Sequence, residues 1–213
     1  FYRTPTAVAA RPLVHLIRGF RPHVVTTYDE LGGYPHPDHI KTHEVTMAAV
    51  ESAAHPEDNP ELGAPWQVQK VYYNQDLSPT KWLIIHERML ADGIESPFGE
   101  MLERYRERAD TRRTWLSTRI ECREHFDRRD RALLAHATQI DPNGGFFTGA
   151  REASKKYWTT EEFELALDRT GRPPLDDTKD FVETDLFAGV TDDHGRQVAA
   201  TADRAGDFGE DGR

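Results

Sequence analysis

The stretch from Ala7 to Ala54 constrains the fold more tightly than any other part of the chain, because four segments of distinct residue pattern follow one another in it. Ala7 to Phe20 reads as a helix, with Ala10, Leu13, Ile17 and Phe20 recurring at three- and four-residue steps. Pro12 lies inside its first turns, where proline is tolerated, and marks an alternative start. Arg21-Pro22 ends it. His23 to Tyr28 is short and rich in β-branched residues, the composition of a buried strand. Asp29 to Pro35 is a glycine- and proline-bearing loop, and Pro37 opens a second helix that runs to about Ala54. Helix, strand, loop, helix is the rhythm of an α/β domain with parallel strands. The loop after Tyr28 then falls at the carboxyl end of a strand, where open α/β sheets place their ligand sites.

Further along, Gln67 to Tyr73 reads as a strand, on which Tyr72 and Tyr73 alternate between faces, and Thr80 to Leu90 as a helix. Thr114 to Glu121 fits either a strand or the start of a helix continuing to about Gln139. Phe163 to Leu167 fits a short strand. Beyond about Val190 large apolar side chains become scarce, so residues 191–213 are expected to form an acidic, disordered tail behind a domain spanning 1–190. From 175 to 213 there are eleven acidic residues against four basic ones, which accounts for most of the net charge of −10. The remainder is close to neutral. The arginines between 104 and 131 alternate with carboxylates at helical spacing, the pattern of a salt-bridged face rather than a nucleic-acid footprint. No run approaches the ~20 apolar residues of a membrane span. The single cysteine, Cys122, fits a reducing cytoplasm. The opening residues, Phe1 to Pro5, read as an interior starting point, so the chain is expected to be a fragment of a longer one.

The chemistry concentrates in Tyr34-Pro35-His36-Pro37-Asp38-His39, with His43 one helical turn later. Two histidines and an aspartate within four residues crowd a strand-to-helix transition. If Pro37 is the first helical residue, His36 is the N-cap, and the group sits where free N–H groups and the helix dipole favour an anion. Neutral imidazole suits zinc, and a carboxylate beside it would hold the ring by a hydrogen bond. By spacing alone, a metal or acid/base site and the polar surface of a capping loop both stand.

The residues Arg21 to Glu30 followed by Gly32-Gly33-Tyr34-Pro35-His36-Pro37-Asp38-His39 resemble the mycothiol S-conjugate amidases, a branch of the LmbE-like (PIG-L type) zinc deacetylase superfamily. Arg131 to Pro142, Trp158 to Ala166 and Asp185 to Gly189 resemble later parts of the same branch, so the likeness covers roughly residues 6 to 190. It implies an α/β, Rossmann-like parallel sheet with flanking helices, here without its N-terminal strands, and one zinc ion per active site. His39 would be a zinc ligand. Asp38 would orient a neighbouring histidine, His36 would stabilise the oxyanion or protonate the leaving amine, and Tyr34 would donate a hydrogen bond to the polarised carbonyl. The implied reaction is zinc-dependent hydrolysis of the amide between N-acetylcysteine and glucosaminyl-inositol in a small thiol-sugar conjugate, with a mercapturic acid as one product. The related deacetylase of N-acetyl-glucosaminyl-inositol, and a non-catalytic remnant, are the competing readings.

The family's other two zinc ligands and its general base come from a His-Pro-Asp-Asp-Glu motif that is absent here. His55-Pro56-Glu57-Asp58 is the nearest match and reads as a decoy, since it follows a helix rather than a strand. His43 suits either support of the site or packing. His136 and Gln139 suit substrate contact or packing, and Asp29-Glu30 suits ligand contact or a turn.

Overall fold

The computed structural model describes residues 1–75, 79–107, 115–143 and 150–198. Four elements build the part that carries the site: α1 (Thr6–Phe20), β1 (Val24–Thr27), α2 (Pro37–Ala54) and β2 (Lys70–Asn74). α1 does not wait for Pro12 but runs through it, with the proline ring on the exposed side. The reason is packing. Ala10, Val14 and Ile17 share one core with Val45, Ala49, Val50 and Ala53 of α2 and with Val68 and Val71 below them. Ala49 and Ala53 are fully buried, and side chains that small let the two helices approach closely.

The far end of α2 is closed by one side chain. The Arg18 guanidinium, buried beneath the 52–63 segment, donates to the carbonyls of Ser52, Ala53, His55, Asp58, Asn59 and Gly63 at 2.7–3.2 Å. It satisfies last-turn acceptors of α2 at the negative end of the helix dipole. His55-Pro56-Glu57-Asp58 belongs to this wrapped loop, with His55 as the C-cap of α2. α2 has 18 residues, so this loop lies about 27 Å from His36. Replacing Arg18 by lysine keeps the charge and loses the planar fork of donors. We expect Arg18→Lys to lower unfolding free energy by at least about 2–3 kcal/mol in urea denaturation, because several buried carbonyls lose their donor.

β1 and β2 pair in parallel, from Val24 opposite Lys70 to Thr27 opposite Tyr73. The remaining elements are α3 (Pro79–Ala91), α4 (Gly99–Glu107), β3 (Thr118–Glu121), a short 3-10 turn at Arg123–His125, α5 (Phe126–Leu134), α6 (Ala150–Tyr157) and β4 (Thr160–Asp168). The strand order is β1-β2-β4-β3, and β4 runs antiparallel to both of its neighbours. The α/β class holds, but the expected parallel sheet is corrected to a mixed one. β4 enters beside the carboxyl end of β2, with Phe163 opposite Asn74. It is nine residues long and polar at its start, which hid everything before Phe163 from a reading based on apolar residues. Ala166 is the extra residue where Val71 pairs with Leu167 and Tyr72 with Leu165, a bulge that locally bends the strand. Of the two readings for 114–121, the strand holds over Thr118–Glu121, and the helix that follows ends at Leu134 rather than near Gln139.

α4 and α6, which sequence periodicity did not reveal, pack with α3 through Met89, Ile85, Phe98, Leu102, Ala153 and Trp158. The opposite face of β2 holds a buried polar knot. Glu183 accepts from Lys70 at 2.8 Å, Thr118 at 3.0 Å, Arg172 at 2.8 Å and the Tyr72 hydroxyl. The Lys70 and Glu183 side chains are 0% and 5% exposed. Lys70 and Tyr72 thus point to one face of β2, while Tyr73 meets His43 on the other, as alternation along a strand requires. Residues 191–198, expected in the tail, instead fold back on the domain. Thr191 exchanges two hydrogen bonds with the Gln69 side chain and bridges Gln197, because the Gln69 amide supplies a donor and an acceptor that the segment's composition does not announce. Residues 199–213 lie outside the described residues. Among the described residues no helix is long and apolar enough to cross a membrane. Within 104–131, Arg104, Arg119 and Arg129 each lie within 4.0 Å of a carboxylate.

Candidate active site at the amino end of α2

The site is built where β1 delivers its carboxyl end to α2. Asp29 leaves the strand and closes a tight turn: its Oδ1 accepts from the backbone N–H of Leu31 (3.1 Å) and of Gly33 (2.8 Å). Its carbonyl accepts from Gly32 N–H at 2.9 Å. Of the two readings for Asp29, the structure shows the turn. Gly32 and Gly33 both take left-handed φ, +73° and +71°, a region L side chains enter at a cost. Gly32 is further constrained by space, since a β-carbon there would stand 2.7 Å from His39 Cβ and 2.9 Å from Ile40 N.

His36 is the N-cap of α2, with Pro37 as the first helical residue. Its Nδ1 accepts the Asp38 backbone N–H at 3.2 Å. An accepting Nδ1 on a neutral ring leaves the proton on Nε2, so His36 offers an N–H donor outward. His39, three residues on, has the opposite arrangement. Its Nδ1 lies 3.0 Å from the Gly32 carbonyl oxygen, which can only accept, so Nδ1 carries the proton and Nε2 keeps its lone pair. One histidine presents a proton and its neighbour a lone pair, and the backbone fixes both tautomers.

Aromatic rings flank the histidines. Tyr28 stacks on His39 with centroids 4.2 Å apart and planes 12° from parallel. Tyr34, about half exposed, stands edge-on to His39 at 4.7 Å and to His36 at 6.1 Å, and the two imidazoles are 5.1 Å apart. The structure therefore brings Tyr34, His36 and His39 together. Asp38 sits in the first turn of α2, where its charge complements the dipole. Its carboxylate accepts from Tyr2 N–H at 2.9 Å, and among the described residues no histidine is its hydrogen-bond partner. His43 Nδ1 donates to the Tyr28 carbonyl at 3.0 Å, so it supports the strand end that carries the stacking ring. His136, just past the end of α5, is exposed and its Nδ1 meets the Ala132 carbonyl of that helix. Gln139 is likewise on the surface. Sequence reasoning missed Tyr28, and no signal in the chain could have found it, because the stack exists only once the glycine turn folds His39 back over the strand.

The donor set can be tested against zinc. His39 fits: its Nδ1–H is held by a backbone carbonyl, the arrangement that aims Nε2 at a metal. Among the described residues no three His, Cys, Asp or Glu side chains gather into a ligating group.

The PIG-L family model, described as GlcNAc-PI de-N-acetylase, matches residues 1–50, the segment that contains this site. The chain is 49% identical over 188 residues to a mycothiol S-conjugate amidase of Streptomyces coelicolor, covering 86% of this chain and 61% of that protein. It is 35% identical over 198 residues to a 1D-myo-inositol 2-acetamido-2-deoxy-alpha-D-glucopyranoside deacetylase of Geodermatophilus obscurus, covering 89% and 62%. A deacetylase of the same description from Rhodococcus erythropolis is 37% identical over 195 residues, covering 88% and 60%. The chain spans about three fifths of the length of these relatives. The PIG-L family match thus lies over the histidine turn, and the likeness to the mycothiol amidase and the inositol-glycoside deacetylases extends across most of the chain.

Proposed function

We propose that this chain is part of a zinc-dependent amide hydrolase that cleaves mycothiol S-conjugates, releasing a mercapturic acid and glucosaminyl-inositol in a detoxification reaction. The observation that carries the reading is the contrast at the two Nδ1 atoms, a backbone N–H against His36 and a backbone carbonyl against His39. His39 supplies Nε2 as one zinc ligand. His36 supplies an Nε2–H aimed outward from the amino end of α2, where an oxyanion is also favoured by the helix dipole. The same ring is placed to hand a proton to the departing amine. Tyr34, edge-on to both imidazoles, donates its hydroxyl to the carbonyl of the bound amide. Asp38 orients an imidazole through the carboxylate oxygen that Tyr2 does not use. Zinc, when bound, polarises the amide carbonyl and lowers the pKa of its water towards ~7.

The remaining ligands and the general base come from outside this span, in the His-Pro-Asp-Asp-Glu motif of the superfamily. The 213-residue chain by itself is then an incomplete site. We expect it to purify without stoichiometric zinc by metal analysis, since one imidazole does not hold the ion; one zinc per chain would sink this division of ligands. Residues 1–190 serve as the back part of the catalytic domain. The lone Cys122 thiol, pushed up to about 11 chiefly by burial, suits a reducing cytoplasm, and no nucleic acid or membrane is required.

The deacetylase relatives give the second reading, removal of acetate from N-acetyl-glucosaminyl-inositol. Both use the same chemistry and differ in the acyl group accommodated. The test is turnover by the complete enzyme of a bimane-labelled mycothiol conjugate against the N-acetylated pseudodisaccharide. Faster turnover of the conjugate is expected, and faster turnover of the pseudodisaccharide would replace the amidase reading with the deacetylase one.

A further inference from the structure

We propose that Asp29 is a positioning residue for the metal ligand: it fixes the His39 tautomer by closing the Gly32–Gly33 turn. The inference rests on reading His39 as a ligand, and adds a residue that acts on it without touching substrate or metal.

The chain of contacts is short and complete. Asp29 is 9% exposed. Its Oδ1 takes the N–H groups of Leu31 and Gly33, and its own carbonyl takes that of Gly32. Three consecutive backbone donors are thereby drawn around one residue, which is what holds both glycines in left-handed φ. The turn so closed places the Gly32 carbonyl 3.0 Å from His39 Nδ1. That carbonyl is the only hydrogen-bond partner of the ring among the described contacts, and it decides which nitrogen keeps its lone pair. Opening the turn would let Gly32 swing away, and His39 would populate both tautomers, as a free imidazole does.

The hydrogen bonds use an acceptor atom at a defined position, and a neutral amide oxygen can occupy the same place. Asp29→Asn retains that oxygen and removes the charge. Asp29→Ala removes both. A carboxylate that acted directly on metal or substrate would be lost in either variant, whereas a turn-closing acceptor is lost only in the second.

The experiment is a long-range 1H–15N spectrum of the full 213-residue chain, labelled at the histidine ring nitrogens and recorded at pH 8 without metal. Expected is a single Nδ1–H tautomer at His39 in the native chain and in Asp29→Asn, with loss of that single tautomer in Asp29→Ala. His36 should keep its Nε2–H tautomer in all three and so reports that α2 has remained folded. Retention of the His39 tautomer in Asp29→Ala overturns the proposal, and so does its loss in Asp29→Asn. Should the alanine variant fail to fold, hydrogen exchange in the native chain decides. Protected Leu31 and Gly33 amides support the turn, and exchange at the unprotected rate overturns it. These readouts involve no catalysis, so failure of the amidase reading in the turnover assay would leave them standing.

Discussion

Substituting Gly32 by alanine is expected to damage the site more than any other single-methyl change in the chain. The left-handed φ of +73° costs an L residue about 1–2 kcal/mol. The added β-carbon would stand 2.7 Å from His39 Cβ, 2.9 Å from Ile40 N and 3.1 Å from the Tyr34 carbonyl oxygen. Two of those neighbours are backbone atoms and the third is a β-carbon, so none can rotate aside. Either the turn opens or the first turn of α2 shifts. Overpacking of this kind adds roughly 1–3 kcal/mol, giving a loss of about 2–5 kcal/mol in all. Gly33→Ala is the internal control. Its φ of +71° carries the same penalty, but the new methyl would meet only the Tyr28 ring, at an ordinary 3.7 Å. Urea unfolding of both variants should separate them by the steric part, and equal losses would show that close approach to His39 is not what Gly32 provides. In the complete enzyme Gly32→Ala should also weaken zinc binding about 10–100-fold, the usual cost of disturbing a ligand's supporting hydrogen bond.

Removing the Glu183 carboxylate is expected to be the most destabilising change away from the site. Glu183→Gln leaves the Lys70 ammonium buried against β2 with no counter-charge. Breaking one side of a buried pair costs about 3–5 kcal/mol. The double variant Lys70→Met, Glu183→Gln should cost clearly less than the sum of the two single changes, because neither charge is then stranded. The pH dependence has a definite sign. Burial opposes ionisation of Glu183, but the hydrogen bonds from Lys70, Tyr72 and Arg172 together outweigh it and hold the carboxyl below its ordinary value. Lys70 is lowered too, by its own burial. That makes its proton easier to lose than that of an exposed lysine, while the pair with an ionised Glu183 is retained. A carboxyl lowered on folding contributes stability that is full above its unfolded pKa of about 4.3 and disappears as pH falls through the folded value. Unfolding free energy measured from pH 7 downward should therefore fall in the native chain below about pH 5, and fall less steeply in Glu183→Gln. Identical acid limbs would show that Glu183 is not a source of the acid sensitivity.

The site was legible in the sequence to the degree that it is local. Gly32-Gly33 and His36-Pro37 dictate a turn and a helix start within eight residues, and the structure brings Tyr34, His36 and His39 together there. What the spacing could not supply was the division of labour between the two histidines. That depends on which backbone group meets each ring nitrogen, the Asp38 N–H for one and the Gly32 carbonyl for the other. Nor could it supply the support from His43, whose partner is a carbonyl fifteen residues earlier.

The same boundary runs through the fold. α1, β1 and α2 could be read directly because helix periodicity, β-branching and proline placement act within a few residues. The direction of β4 could not, since strand composition records burial and carries no information about which way a neighbour runs. The partner of Glu183 was equally out of reach, lying 113 residues away on β2. By itself the sequence determined a turn-and-helix unit bearing a histidine pair, and the family which that unit resembles. Only the tertiary structure decided the mixed sheet and the tautomers that make the two histidines chemically different. It also decided the buried carboxylate that ties the 183–190 segment to the sheet. Each of these arises from contacts between residues far apart in the chain, and pairing of that kind is settled by which surfaces can be buried together without leaving a polar group unsatisfied.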